Sequence, residues 1–123
     1  MPILDIERVL PDGADAAPAG LASTLADATG RVFGSTPGRT WVRLRALPAS
    51  AYAENGTTLA ADALPVFVTV LLAQPPKGDA LAAQVRALTD AVAQALAIDA
   101  TRVHVQVAPP GVGRQAFGGT LIR

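Results

Sequence analysis

The chain has 123 residues, half of them hydrophobic, with 10 Lys and Arg against 10 Asp and Glu, which suits one compact domain and leaves no room for two unrelated folding units. Zero formal charge removes any general attraction to nucleic acid or anionic lipid; zero Cys and a single His (His104) remove disulfide frameworks, thiol nucleophiles and Cys- or His-based metal clusters. The longest mainly apolar stretch, Leu64 to Ala73, is about half of the ~20 residues a membrane helix needs, and Asp5 and Glu7 stand where a signal peptide carries positive charge, so the expectation is a cytoplasmic chain with no membrane partner.

Met1 to Val9 is a β-prone run closed by the turn residues Pro11-Asp12-Gly13. From about Pro18 to Phe33, Leu21, Leu25, Ala28 and Val32 form a helical stripe that Gly34 and Pro37 terminate. Thr40 to Leu47 then alternates, Val42 and Leu44 against Trp41, Arg43 and Arg45, as a half-buried strand does. Asn55-Gly56-Thr57 has the form of a glycosylation acceptor, but without an export signal it reads as a turn.

The order recurs. Val66 to Leu72 reads as a buried strand, Gln74 to Gly78 as a turn, and Asp79 to Ala97 as a helix with the stripe Leu81, Val85, Leu88, Val92 and Leu96. Arg102 to Val107 alternates again, with Val103, Val105 and Val107 opposing Arg102, His104 and Gln106. A gapless offset of 63 residues matches Pro2 with Pro65, Arg39 with Arg102, Val42 with Val105 and Gly56 with Gly119, so the chain reads as one domain of two β-α-β repeats, about 2–57 and 65–120, joined by linker 58–64. The expected fold class is α/β (α+β): a four-stranded mixed sheet with two helices on one face. The third strand reads as apolar on both faces, which predicts oligomerisation through the uncovered face of the sheet.

Pro2 opening the first strand of a duplicated β-α-β unit, Pro65 repeating it, and the glycine-rich end Ala116-Phe117-Gly118-Gly119 together resemble the tautomerase superfamily. The resemblance spans nearly the whole chain and is to the fused, double-length type represented by macrophage migration inhibitory factor, each half being similar to one short 4-oxalocrotonate tautomerase subunit. It implies a homotrimer whose sheets close a central barrel, no cofactor, no metal, and an amino-terminal proline as the catalytic group.

The chemistry suits that residue. Once Met1 is removed, Pro2 carries a secondary amine whose ordinary pKa lies just above neutrality, and burial beside cations lowers it by disfavouring the charged form. A neutral amine can act as general base in a 1,3-proton shift between enol and ketone. Pro65 has an amide nitrogen in mid-chain and cannot do this. The implied activity is a tautomerase (isomerase) acting on a small 2-oxo or enol carboxylic acid; the alternatives are a decarboxylase or hydratase/dehalogenase with Pro2 as acid, and a non-enzymatic trimeric binding protein.

Carboxylate substrates need cationic anchors. The resemblance implies that a neighbouring chain's second-half strand completes the site, bringing His104 and Gln106 to Pro2 together with Arg114, Gln115 and Phe117 from the C-terminal segment. Lys77 and Arg114 are the candidate replacements for the arginines that relatives carry after strands 1 and 3. The same mapping puts Arg43, Tyr52 and Glu54 around Pro65, with Glu54 at the position of a water-activating carboxylate. Gly111-Val112-Gly113 and Gly118-Gly119 are superficially like phosphate loops, but no helix follows them.

Overall fold

A computed structural model describes residues 1–15 and 18–123. The elements run β1 (Ile3–Leu10), α1 (Leu21–Phe33), β2 (Trp41–Pro48), β3 (Val66–Leu71), α2 (Gly78–Leu96), β4 (Val103–Val107) and a short hairpin of β5 (Ala116–Phe117) with β6 (Thr120–Leu121). The main sheet has the order β2-β1-β3-β4; β1 and β2 are parallel, β3 and β4 are parallel, and β1 meets β3 antiparallel. Two β-α-β units thus lie side by side in a mixed sheet, as the sequence predicts.

One face of the sheet carries the core. Leu4 and Ile6 of β1, Val66, Val68 and Val70 of β3 and Val103 of β4 pack with Leu25 of α1 and Leu88, Val92 and Leu96 of α2. Thr29 is also fully buried there, and its hydroxyl donates to the Leu25 carbonyl oxygen at 2.7 Å, one turn back along α1.

The uncovered face departs from expectation. Because side chains alternate along a strand, β3 sends Val66, Val68 and Val70 to the helices and only Phe67, Thr69 and Leu71 to the other side. Their neighbours in register include Asp5, Glu7, Arg43, Arg45, His104 and Gln106, so this face is mixed polar and apolar, not an unbroken apolar surface.

Both helices end in a Schellman arrangement. Gly34 follows α1 with φ 62°, and Ser35 N–H reaches the Gly30 carbonyl at 2.9 Å. Ala97 follows α2 with φ 55°, and Ile98 N–H reaches the Ala93 carbonyl at 3.0 Å. The offset of 63 also reproduces two tight turns. Glu54 bridges Thr57 across Asn55-Gly56, and Phe117 pairs with Thr120 across Gly118-Gly119, whose φ values of 55° and 89° suit a two-residue hairpin. These glycines turn a hairpin and are not phosphate loops.

The offset slips by one residue at β1 and β3. Ile3 pairs with Trp41, whereas Phe67, not Val66, pairs with His104. A one-residue slip changes the face of every side chain along a strand. Pro2 and Pro65 consequently sit at different distances from the first equivalent pair: the Pro2 carbonyl accepts from Trp41 N–H, and the Pro65 carbonyl from Val9 N–H, each at 3.0 Å.

Candidate active site

Pro2 is buried at the head of β1. It lines a recess of about 660 Å³ together with Met1, Phe33, Ser35, Thr36 and Arg39 from one side and Leu72, Gln74, Pro76 and Gln84 from the other. The recess forms because the segment after α1 and the segment after β3 both pass the same end of the sheet as the start of β1. Met1 has its own seat. A Cβ added to Gly111 would stand 2.7 Å from the Met1 Cε and 3.3 Å from the Leu72 carbonyl oxygen, so glycine at this position leaves room for the Met1 side chain. The Gly111 N–H donates to that same Leu72 oxygen at 2.8 Å, which ties the C-terminal segment to the end of β3.

Arg39 is the one charged side chain on this recess among the described residues. It ends the turn Thr36-Pro37-Gly38-Arg39, in which Arg39 N–H donates to the Thr36 carbonyl at 3.1 Å and Gly38 has φ 79°. Proline followed by a positive-φ glycine is the chemistry of a type II turn. Sequence reasoning missed Arg39 as a site residue. Its one signal was the match with Arg102 in the other half.

Within one chain the candidate residues other than Lys77 and Arg114 lie in two other places. On the open sheet face, Gln115 shares a recess of about 260 Å³ with Ile3, Asp5, Arg43, Thr69 and Leu71. Phe117 stacks on Trp41, with ring centroids 4.7 Å apart and planes at 23°. Arg43 is held by Asp5, and its guanidinium keeps the Asp5 carboxyl below the usual aspartate range, chiefly through their hydrogen bonds. Gln106 is in register with Thr69 on this face.

At the opposite end of the sheet, Glu54, His104, Pro65, Asp99 and Arg102 line a recess of about 370 Å³. The Phe67 ring lies between Tyr52 and His104, at centroid distances of 5.9 and 5.5 Å. The Tyr52 hydroxyl donates to Glu54 Oε2 at 2.7 Å, and this bond is the main cause of an upward shift that keeps the phenol protonated. Asp99 is pushed down mainly by the Thr101 N–H that it accepts.

Within one chain, then, His104, Glu54 and Tyr52 gather at the Pro65 end, while Arg43 stands apart from them beside Asp5. None of His104, Gln106, Arg114, Gln115, Phe117, Lys77, Arg43, Tyr52 or Glu54 lines the recess of the same chain's Pro2. Lys77 is exposed at the residue before α2, and Arg114 is exposed beyond β4, its N–H donating to the Gly111 carbonyl at 2.8 Å.

No protein-family model matches the chain, and no curated protein matches it. Solved structures do. A macrophage migration inhibitory factor from Oncomelania hupensis superposes with a TM-score of 0.71 at 17% identity, over 100% of this chain and 83% of that one. A fused 4-OT described as an asymmetric trimer gives 0.73 at 22% identity, over 97% and 94%. Pt0534 inactivated by 2-oxo-3-pentynoate gives 0.70 at 16% identity, over 98% and 94%. The likeness runs through both halves of the chain, which has the fold of the fused 4-OT and macrophage migration inhibitory factor structures.

Proposed function

We propose that the chain is a cofactor-independent tautomerase that interconverts the enol and keto forms of a small 2-oxo carboxylic acid, with Pro2 as general base. The observation that carries this reading is the burial of Pro2 on a recess whose one charged side chain, among the described residues, is an arginine. Removal of Met1 converts the Pro2 nitrogen from an amide to an amine and empties the seat over Gly111. Burial beside a guanidinium favours the neutral amine. That amine takes the enol hydroxyl proton as the carbonyl forms, and the resulting prolinium delivers a proton to the adjacent carbon, so no group is lost and no oxidant is needed.

The active assembly on this reading is a homotrimer. A fused 4-OT with this fold is described as a trimer, and the open sheet face offers a surface for neighbouring copies. In that assembly a neighbour supplies His104 and Gln106 near the Pro2 recess, and Arg114, Gln115 and Phe117 approach it from the C-terminal segment. Proton transfer is favoured over hydration because Glu54, the candidate water-activating carboxylate, is already bound by the Tyr52 hydroxyl.

The test is ultraviolet-monitored ketonisation of phenylenolpyruvate by Met-processed protein and by Pro2→Ala. Loss of activity in the folded variant, together with labelling of the Pro2 amine by 2-oxo-3-pentynoate, is the expected result. A folded Pro2→Ala protein with full activity removes Pro2 as the base.

A further inference from the structure

We infer that Arg8 and Arg102 form a binding site for phosphate, as the free ion or as a phosphate monoester, at the Pro65 end of the sheet and apart from the Pro2 recess. This inference does not depend on the tautomerase reading.

The fold brings the two arginines to one place. Arg8 stands near the end of β1 in register with Val66, and the next residue, Val9, donates its N–H to the Pro65 carbonyl at 3.0 Å. Arg102 immediately precedes β4, and its Nε donates to the Leu64 carbonyl at 2.8 Å. Both arginines therefore flank the same short segment, Leu64-Pro65-Val66. The repeat gives the same placement. Strand pairing superposes Ile3 on Phe67 and Trp41 on His104, which carries Leu72 onto Arg8 and Arg39 onto Arg102. Leu72 and Arg39 line one recess at Pro2, and their equivalents come together at the other end of the sheet.

The pair has no counter-ion. Arg8 Nε is buried and donates to nothing. The ion pairs among the described residues are Arg43 with Asp5 and Arg86 with Asp90, so neither Arg8 nor Arg102 is in one. Burial, and after it the Arg102 charge, lowers the Arg8 pKa, the direction of a cation held near another cation. The carboxylates at this end are engaged elsewhere. Asp99 accepts from the Thr101 N–H at 2.9 Å and from its hydroxyl at 2.8 Å, Glu54 accepts from Tyr52 at 2.7 Å, and Asp62 is exposed to solvent. A buried donor without an acceptor is costly, and a bound oxygen recovers that cost. Two guanidinium forks match the several oxygens of a phosphate, and their two charges match its charge near neutrality, whereas one carboxylate neutralises only one of them.

The experiment is isothermal titration of inorganic phosphate into the full Met-processed protein at constant ionic strength, with glycerol 3-phosphate and acetate in parallel. Arg8→Met keeps the apolar stem and removes the guanidinium; it and Arg102→Met are expected to weaken phosphate binding by about tenfold or more. Arg8→Lys, which keeps the charge and loses the buried Nε, is expected to fall between Arg8→Met and wild type, and acetate to bind more weakly than phosphate. Tighter binding of glycerol 3-phosphate than of the free ion assigns the site to monoesters, and the reverse order assigns it to the ion. Without phosphate, Arg8→Met is expected to unfold at the wild-type temperature or above, because the Arg102 charge no longer opposes a neighbour; phosphate should then raise the Tm of wild type and not of the variant. Failure of the wild type to bind phosphate overturns the inference, as does equal affinity of wild type and Arg8→Met. Loss of binding in Arg39→Ala with Arg8→Met unaffected would put the anion at Pro2 and overturn it as well.

Discussion

Arg43 holds Asp5 with two donors across the parallel β1–β2 pair: Nε stands 2.6 Å from Oδ1 and Nη2 2.9 Å from Oδ2. The two residues are directly in register on the open face of the sheet. The hydrogen bonds favour the charged carboxylate, so the folded protein holds Asp5 below its ordinary range. A depressed carboxyl contributes stability that is fully present above the unfolded-state pKa and is lost as pH falls through the folded one. Asp5→Asn is therefore expected to lower the urea midpoint near neutrality, and the difference from wild type should shrink below the ordinary aspartate range. With Arg43 largely exposed, the effect should be small and weaken with salt. A difference that is the same at acid and neutral pH would mean that Asp5 acts through packing.

Trp41 and Phe117 give a second, optical test. Trp41 is the only tryptophan, so its emission reports this contact alone, and its stacked partner comes from the β5–β6 hairpin. Phe117→Ala should shift the emission to longer wavelength as water replaces the ring, and should cost about 0.5–1.5 kcal/mol beyond the lost apolar area. It should also speed amide exchange in the hairpin, whose Ile122 N–H now donates to the Gln115 carbonyl at 2.8 Å. Unchanged emission and exchange would show that the hairpin is held in place by its backbone bonds to Gly111 and Gln115.

The sheet and both helices were legible because periodicity and a repeated element order survive in single residues such as Leu25, Leu88, Val42 and Val105. Thr29 was not legible as core: its polarity marks it for the surface unless one knows that its hydroxyl is satisfied by the Leu25 carbonyl. The two faces of β3 were blurred because Phe67 and Leu71 interrupt the polar side of a strand whose other side is all valine. Arg39 looks like any solvated arginine until the segment after α1 is seen to fold past the head of β1 and bring it to Pro2. His104 and Gln106 are assigned to Pro2 through a resemblance that requires a neighbouring chain, and within a single chain His104 lies at the Pro65 end beside Glu54, which the same resemblance puts there.

The repeat itself makes the last prediction. At the end of α1 the left-handed position is Gly34; 63 residues on, at the end of α2, it is Ala97, with φ 55° and ψ 46°. Both carry the same pattern of backbone bonds, so the comparison isolates the Cβ. An L-residue with a Cβ in this conformation costs about 1–2 kcal/mol, and glycine returns about 0.5–1 kcal/mol of that through its larger loss of chain entropy on folding. Ala97 is exposed, so removing its methyl group leaves no cavity. Ala97→Gly should therefore stabilise the chain by up to about 1 kcal/mol, a rise in Tm of roughly 2–5 °C for a domain of this size. Gly34→Ala should move it the other way by a similar amount. A lower Tm for Ala97→Gly would mean that the methyl group packs against something outside the single chain, and comparing the two Tm shifts over a range of protein concentrations would test whether that contact is with a second copy.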